Sequence, residues 1–271
     1  MSLLIKLIAL IGMAVVFAWT WLTGRVEVPV TGRTQVIAVS REEAAALGDR
    51  AFADVLSRNR PVTAGRESET VRAIAERVAA EADALIDPDY DWEIVLLDSP
   101  QANAFALPGG KIGVLSGLLD VAETPDQLAA VIAHEVAHVV ARHGMERLTQ
   151  QQLAELGQLA VGIAVGDMDP ATRAAVVGAL GLGAQYGILM PFSRRHESEA
   201  DHIGLILMAR ACYDPRAAIQ VWRNMAAAAE GQPPEFLSTH PAHGTRIEAL
   251  SELMDEAMAA RDEAGCPPLA A

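Results

Sequence analysis

His134-Glu135-Val136-Ala137-His138 carries residue types at a spacing that can do hydrolytic chemistry. On a helix, histidines at i and i+4 project from one face, so both imidazoles can reach one ion. Glu135, beside the first histidine, stands where it can take the proton of an attacking water. A mixed nitrogen and carboxylate donor set with one position left open suits zinc. The chemistry such a set supplies is metal-assisted hydrolysis of a polarised carbonyl. Leu128, Val131, Ile132, Val136, Val139 and Val140 surround the motif, so its helix is buried, and buried imidazoles and a buried carboxylate need partners.

A third metal donor must come from elsewhere in the chain. Arg194-Arg195-His196-Glu197-Ser198-Glu199-Ala200-Asp201 reads as helical, and Asp201 shares a face with Glu197 four residues earlier. Glu197 is the expected ligand. Asp201 is expected to hold the ring N–H of a ligand histidine, which fixes its tautomer and raises its basicity. Glu199 points away. Taken alone, this run would be a solvated acidic face; the histidine motif makes it a ligand helix. His240, in Ser238-Thr239-His240-Pro241, has two competing roles. It either donates to the oxyanion during peptide hydrolysis or closes the fourth metal position and holds the enzyme latent; a purely structural role is the third option. Arg246 is expected to brace the site by pairing with a carboxylate. His143, His196 and His202 are read as non-ligands.

Asn103-Ala104-Phe105 before the metal helix and Thr239-His240-Pro241 before Arg246-Ile247 complete a pattern with the two metal motifs. Over about residues 35–255 the chain resembles the HtpX/CAAX-prenyl-endopeptidase-like family of zinc metallopeptidases, most of all its exported, BepA-like members. The resemblance implies a predominantly helical α+β fold, a gluzincin-type domain with a small antiparallel sheet beside the metal-binding helix. It implies one zinc ion per chain and polypeptide substrates. It also supports a substrate-binding role for Asn103, Ala104 and Phe105, on an edge strand that pairs with an extended peptide. Multi-span members of the family carry several clear membrane spans, whereas this chain has one.

The elements that must position these residues are legible in outline. Helices are expected over about 41–57 and 67–86, and a break follows at Asp87-Pro88-Asp89. Trp92 to Asp98 and Asn103 to Leu107 read as strands. Pro108-Gly109-Gly110 turns the chain into a return strand, Lys111 to Leu115, and the three form an antiparallel sheet. Thr124-Pro125-Asp126 opens the metal helix with a Thr N-cap and Pro in the first turn, and the helix runs to about His143 near Gly144. Residues 153–192 are apolar and rich in Gly and Ala, cut by Asp167-Met168-Asp169-Pro170. They suit a helical hairpin packed on the domain, with a second or re-entrant membrane span for 174–192 as the alternative. Helices follow over about 194–210, 215–229 and 243–263.

Half the residues are apolar (51%), and mean hydropathy is +0.22, high for a freely soluble enzyme and reason to look for a membrane contact. A formal charge of −14 repels phosphate backbones and excludes nucleic acid as a partner. The membrane contact lies at the amino terminus. Between Lys6 and Arg25 there is no charge, and 18 residues span roughly 27 Å as a helix. Trp19 and Trp21 sit at the end of the run, where interfacial indoles belong. An uncleaved anchor is favoured over a cleaved signal peptide, because Ala18-Trp19-Thr20 makes a poor cleavage site. The expected organisation is an anchor over 1–24, an extended linker with one strand over 25–40 and a zinc metallopeptidase domain over 41–265. The expected location is the bacterial inner membrane with the catalytic domain in the periplasm, the substrates being misfolded or membrane-associated envelope proteins. The competing function is a periplasmic assembly factor or chaperone with a structural zinc site; a zinc hydrolase of small amides is weaker. Cys212 and Cys266 can form one bridge in an oxidising compartment if the fold brings them together.

Overall fold

A computed structural model describes residues 3–86, 90–184, 190–228, 236, 240 and 246–269. In chain order the elements are α1 (Leu3–Thr23), β1 (Arg25–Glu27), β2 (Thr34–Val36), α2 (Arg41–Arg58), α3 (Arg66–Leu85), β3 (Glu93–Leu97), β4 (Ala104–Leu107) and β5 (Lys111–Leu115). After a 3-10 turn (Ser116–Asp120) come α4 (Pro125–Val140), α5 (His143–Ala164), α6 (Pro170–Ala184), α7 (Met190–Arg210), α8 (Arg216–Ala228), α9 (Arg246–Glu252) and α10 (Met254–Glu263). The chain divides into two compact units.

One unit holds residues 1–28, 32–40 and 143–195. In it α1 is long and apolar enough to cross a membrane, with mean hydropathy 2.3. Residues 25–40 carry two short antiparallel strands where the sequence pattern gives one, with Arg25 opposite Val36. Arg33 meets Glu146 on α5 through two hydrogen bonds of 2.9 and 2.7 Å. The predicted cut in the apolar stretch is present: α5 ends at Ala164 and α6 starts at Pro170, capped by Asp169, whose Oδ1 accepts from the N–H groups of Ala171 and Thr172.

The other unit holds residues 29–31, 41–142 and 196–271. It is helical around a three-stranded sheet ordered β3-β5-β4. The hairpin β4–β5 is antiparallel as expected, and Gly109 and Gly110 take positive φ at its turn. Strand β3, however, runs parallel to β5, so the sheet is mixed and not wholly antiparallel. Residues 98–103 carry the chain across the end of β5, so β3 and β4 flank it. Ser99 anchors that crossing: its C=O accepts from Ser116 Oγ at 2.9 Å and from Gly117 N at 2.8 Å. Gly117 is required there, because a Cβ would lie 2.3 Å from Pro100 O. Strand β5 is buried throughout as the central strand, and β4 is an edge.

α4 packs against α3, β4 and α8, which places the metal motif in the middle of this unit. Thr124 caps it as expected, accepting from Gln127 N, with Pro125 at the first position. The helix stops three residues earlier than the sequence suggests. Ala141 is its C-cap and Arg142 reverses the chain at φ 56°, while Gly144 lies inside α5. Cys212 and Cys266 are joined by a disulfide, their Cα atoms 5.3 Å apart.

Candidate metal centre

Two buried helices make the centre by approaching closely. Gly204 on α7 has no side chain where α7 meets α4, and a Cβ there would lie 3.0 Å from His134 N. This contact lets α7 present Glu197 and Asp201 directly to the histidines of α4. His134 Nε2 lies 3.1 Å from His138 Nε2 and 3.3 Å from Glu197 Oε2, and His138 Nε2 is 3.6 Å from Glu197 Oε1. His240 joins them: its Nδ1 is 3.2 Å from His134 Nε2 and 3.0 Å from Glu197 Oε2. These four side chains form a group whose donor atoms all lie within 4.8 Å of one another.

The group fits a metal ion. A tetrahedral ion bound at about 2.0–2.2 Å holds its donors roughly 3.3–3.6 Å apart; five of the six residue pairs here approach to between 3.0 and 3.6 Å, and the whole group lies within 4.8 Å. Three imidazoles and one carboxylate are a borderline-soft nitrogen and oxygen set.

Electrostatics favour positive charge at the same point. Burial by itself would keep the His134 imidazole neutral. Asp201 and Glu197 outweigh that burial, against some opposition from Arg246, and push its pKa up to about 9. Burial would also raise the pKa of Glu197, but its contacts with His134 and His240 hold it far below the usual carboxylate range. An environment that binds a proton tightly at His134 also makes that ring a better metal donor.

Around the donors sits a second set of contacts. His134 Nδ1 lies 3.1 Å from Asp201 Oδ1, and Arg246 Nη2 donates to the same oxygen at 2.5 Å. The Arg246 guanidinium lies over Trp222, its Cζ 3.4 Å from the ring centroid. Phe236 stacks on His240 with ring centroids 4.5 Å apart, and His240 N donates to Phe236 O. Glu135 stands outside the donor group. Its side chain is 1% exposed and its Oε1 accepts no hydrogen bond among the described residues, although His240 Nε2 is 3.3 Å away.

The family description "Peptidase family M48" matches residues 65–254, well over half of the chain and the whole of both metal-bearing helices, α4 and α7. The chain belongs to peptidase family M48. It is 40% identical over 181 residues to the mitochondrial metalloendopeptidase OMA1 of Schizosaccharomyces pombe, covering 66% of this chain and 51% of that protein. Its identity to the OMA1 metalloendopeptidase of Bos taurus is 33% over 251 residues, 89% of this chain and 48% of the relative. The β-barrel assembly-enhancing protease of Yersinia pestis is 32% identical over 183 residues, 65% of this chain and 37% of that protein. The chain thus spans about half the length of these two OMA1 relatives.

Within this M48 chain the fold brings together His134, His138, Glu197, Asp201, His240 and Arg246, all expected at the site. Glu135 adjoins them. Glu199 does point away from the donors, but it is buried and accepts a hydrogen bond from Thr31 Oγ1, where the sequence suggests a solvated residue. His143, His196 and His202 are outside the donor group, and His202 pairs with Glu256 at 3.0 Å. Asn103 and Ala104 are buried, the Asn103 Oδ1 accepting from Ala104 N. Phe105 covers Gly113 on the neighbouring strand, where a Cβ would meet its ring at 2.2 Å. Thr239, Pro241 and His243 lie outside the described residues. Trp222, Phe236 and Gly204 are not evident from sequence; Gly204, seven residues after Glu197 and three after Asp201, carried a helical-face signal that could have flagged it.

Proposed function

We propose that this chain is a zinc-dependent endopeptidase. The observation that carries the proposal is the convergence of His134, His138 and Glu197 from two helices on one point, with the buried carboxylate of Glu135 next to it. A zinc ion held by these donors would polarise the scissile carbonyl and acidify the attacking water. Glu135 takes the proton of that water and delivers it to the leaving amine. Asp201 orients His134 through Nδ1, and Arg246 holds Asp201 while resting on Trp222. An extended substrate adds to the edge of β4, which pairs on one side only among the described strands, by backbone hydrogen bonds.

His240 is the fourth donor in this reading, and it closes the site. Its Nδ1 sits as near to Glu197 and His134 as those ligands sit to each other, so substrate reaches the metal only when His240 withdraws. The same observation supports a second reading, an assembly factor or chaperone-like module whose four-donor zinc site is structural. Casein cleavage by the purified chain distinguishes them. Wild type should cleave, chelator should stop it, and Glu135→Gln should bind zinc normally while losing about 10²–10⁴-fold in rate. Zinc binding without any metal-dependent cleavage would leave the structural reading.

For location, α1 anchors the chain in a membrane, and the Cys212–Cys266 disulfide fits an oxidising compartment such as the periplasm. Misfolded or membrane-associated envelope proteins are the proposed substrates. Residues 1–24 are the anchor and 41–265 the peptidase domain. Mass measurement of the mature protein tests the anchor: loss of residues 1–24 would make it a cleaved signal.

A further inference from the structure

α8 supplies none of the four donors, yet it packs against both α4, which carries the histidines, and α9, which carries Arg246. Its buried stripe is Ala218, Val221, Trp222 and Met225, at helical spacing. Trp222 is the one aromatic member, and its ring meets the centre from three directions. His134 stands edge-on to it, with ring centroids 6.3 Å apart at 76°. Phe236 lies 5.5 Å away, tilted by 44°, and Phe236 in turn stacks on His240. The Arg246 guanidinium occupies the ring face.

Arg246 is 6% exposed, and hydrogen bonds do not satisfy its charge. A guanidinium carries N–H donors on all three nitrogens. Nη2 donates to Asp201 Oδ1, the same oxygen that faces His134 Nδ1 at 3.1 Å. Nε and Nη1 are buried and have no hydrogen-bond partner among the described residues. Nη1 stands 3.6 Å from Glu197 Oε2, too far for a hydrogen bond. Charged donors left bare in a protein interior are costly, and the negative face of an indole is the best aromatic offset for a desolvated cation. We infer that Trp222 is a positioning residue of the metal centre. Its ring face holds Arg246 against Asp201, and Asp201 holds His134 by Nδ1 so that Nε2 points at the other donors. The hold is electrostatic and not a matter of filled volume. A helix that carries no ligand thereby sets the affinity for the metal. This inference rests on the reading of the four-residue group as a metal site, and not on the cleavage reaction.

Zinc affinity of the full-length chain, read by competition with a chromophoric chelator and without substrate, tests it independently of cleavage. Trp222→Leu should weaken zinc binding by roughly 10–100-fold, the range for loss of groups that orient metal ligands. Trp222→Phe keeps a π face and should weaken it less. In an Arg246→Met background, Trp222→Leu should change affinity by less than about twofold, because the cation that the ring serves is gone. A second series leaves the size of the side chain nearly unchanged, so that folding is preserved. Biosynthetic incorporation of mono-, di- and trifluorotryptophan, substituted on the benzo ring, drains the ring face of negative charge. It alters all four tryptophans, and the Arg246→Met chain is the control for the other three. Zinc affinity should fall step by step with fluorination when Arg246 is present and stay level when it is Met. The inference is overturned if Trp222→Leu binds zinc within about twofold of wild type, if its loss is as large in the Arg246→Met chain, or if the fluorinated series is flat.

Discussion

Gly204→Ala puts a methyl group where α7 meets α4. The new Cβ would lie 3.0 Å from His134 N and 3.1 Å from both C and O of Ala133. All three are backbone atoms of a buried helix, so no side chain can swing aside. Carbon contacts settle at about 3.5–4.0 Å, and the helices must part by roughly half an ångström. Overpacking of this kind costs about 1–3 kcal/mol, offset by the ~1 kcal/mol that Ala gains over Gly in a helix, so the net loss of stability is small. The metal centre has less tolerance. Asp201 and Glu197 ride one and two turns upstream on the same helix and touch the His134 ring at 3.1 and 3.3 Å. A shift that size at those contacts should weaken zinc binding by roughly 10–100-fold, the range for loss of partners that orient metal ligands. Competition against a chromophoric chelator measures it directly. Gly157→Ala, where a Cβ meets nothing within 4 Å, is the control, and it should leave affinity unchanged while stability rises by up to ~1 kcal/mol. Zinc affinity of Gly204→Ala within twofold of wild type would refute the reasoning.

Glu197→Ala should abolish both metal binding and cleavage, whereas Glu199→Ala should keep the metal and lose only the stability of its buried contact with Thr31; metal analysis of the two purified variants checks the pair. His240→Ala should raise basal casein cleavage and self-cleavage if His240 closes the site, and a fall of about 10²–10³-fold would make it an oxyanion donor instead. Replacing Cys212 and Cys266 together by Ser should cost about 4 kcal/mol in urea unfolding, from the chain entropy of a loop closed across a separation of 54 residues. An unchanged midpoint would show that the unbonded chain is already constrained there.

The parts of this protein legible from sequence are those in which the determinants are local. His134, Glu135 and His138 are fixed relative to one another by helix geometry alone, and Thr124 and Pro125 mark that helix's start through bonds within one turn. The β4–β5 hairpin follows from Gly109 and Gly110, which accept the positive φ of a tight turn. Strand β3 escapes such reasoning because its parallel pairing depends on how residues 98–103 pass over β5, a contact admitted by Gly117, well beyond the strand in sequence. The end of α4 at a left-handed Arg142 gives no glycine signal. Glu199 looks solvated in a charged run, yet the tertiary fold buries it against Thr31. Trp222 and Phe236 read as ordinary core residues, and only the packed structure shows that one carries Arg246 and the other His240.

Glu135 separates a catalytic reading of this centre from a structural one. A zinc site that only stabilises the fold gains nothing from a carboxylate beside its ligands, and an apolar side chain would pack there more cheaply. Burying a carboxylate oxygen without a hydrogen-bond partner costs several kcal/mol unless something offsets it. Among the described residues nothing donates to Glu135 Oε1, and His240 Nε2 lies 3.3 Å from it. The two nitrogens of His240 thus face the two halves of the proposed reaction, Nδ1 the metal donors and Nε2 the base. If His240 withdraws, it removes a competing donor from the metal and an imidazole from the base in one movement, leaving both free for water and substrate. Phe236 stacks on the His240 ring and its C=O accepts from His240 N, so withdrawal of His240 would break or carry along both contacts. In the proposed reading a closed resting site and an intact base belong together: the base would serve the open state, and the histidine would hold that state back.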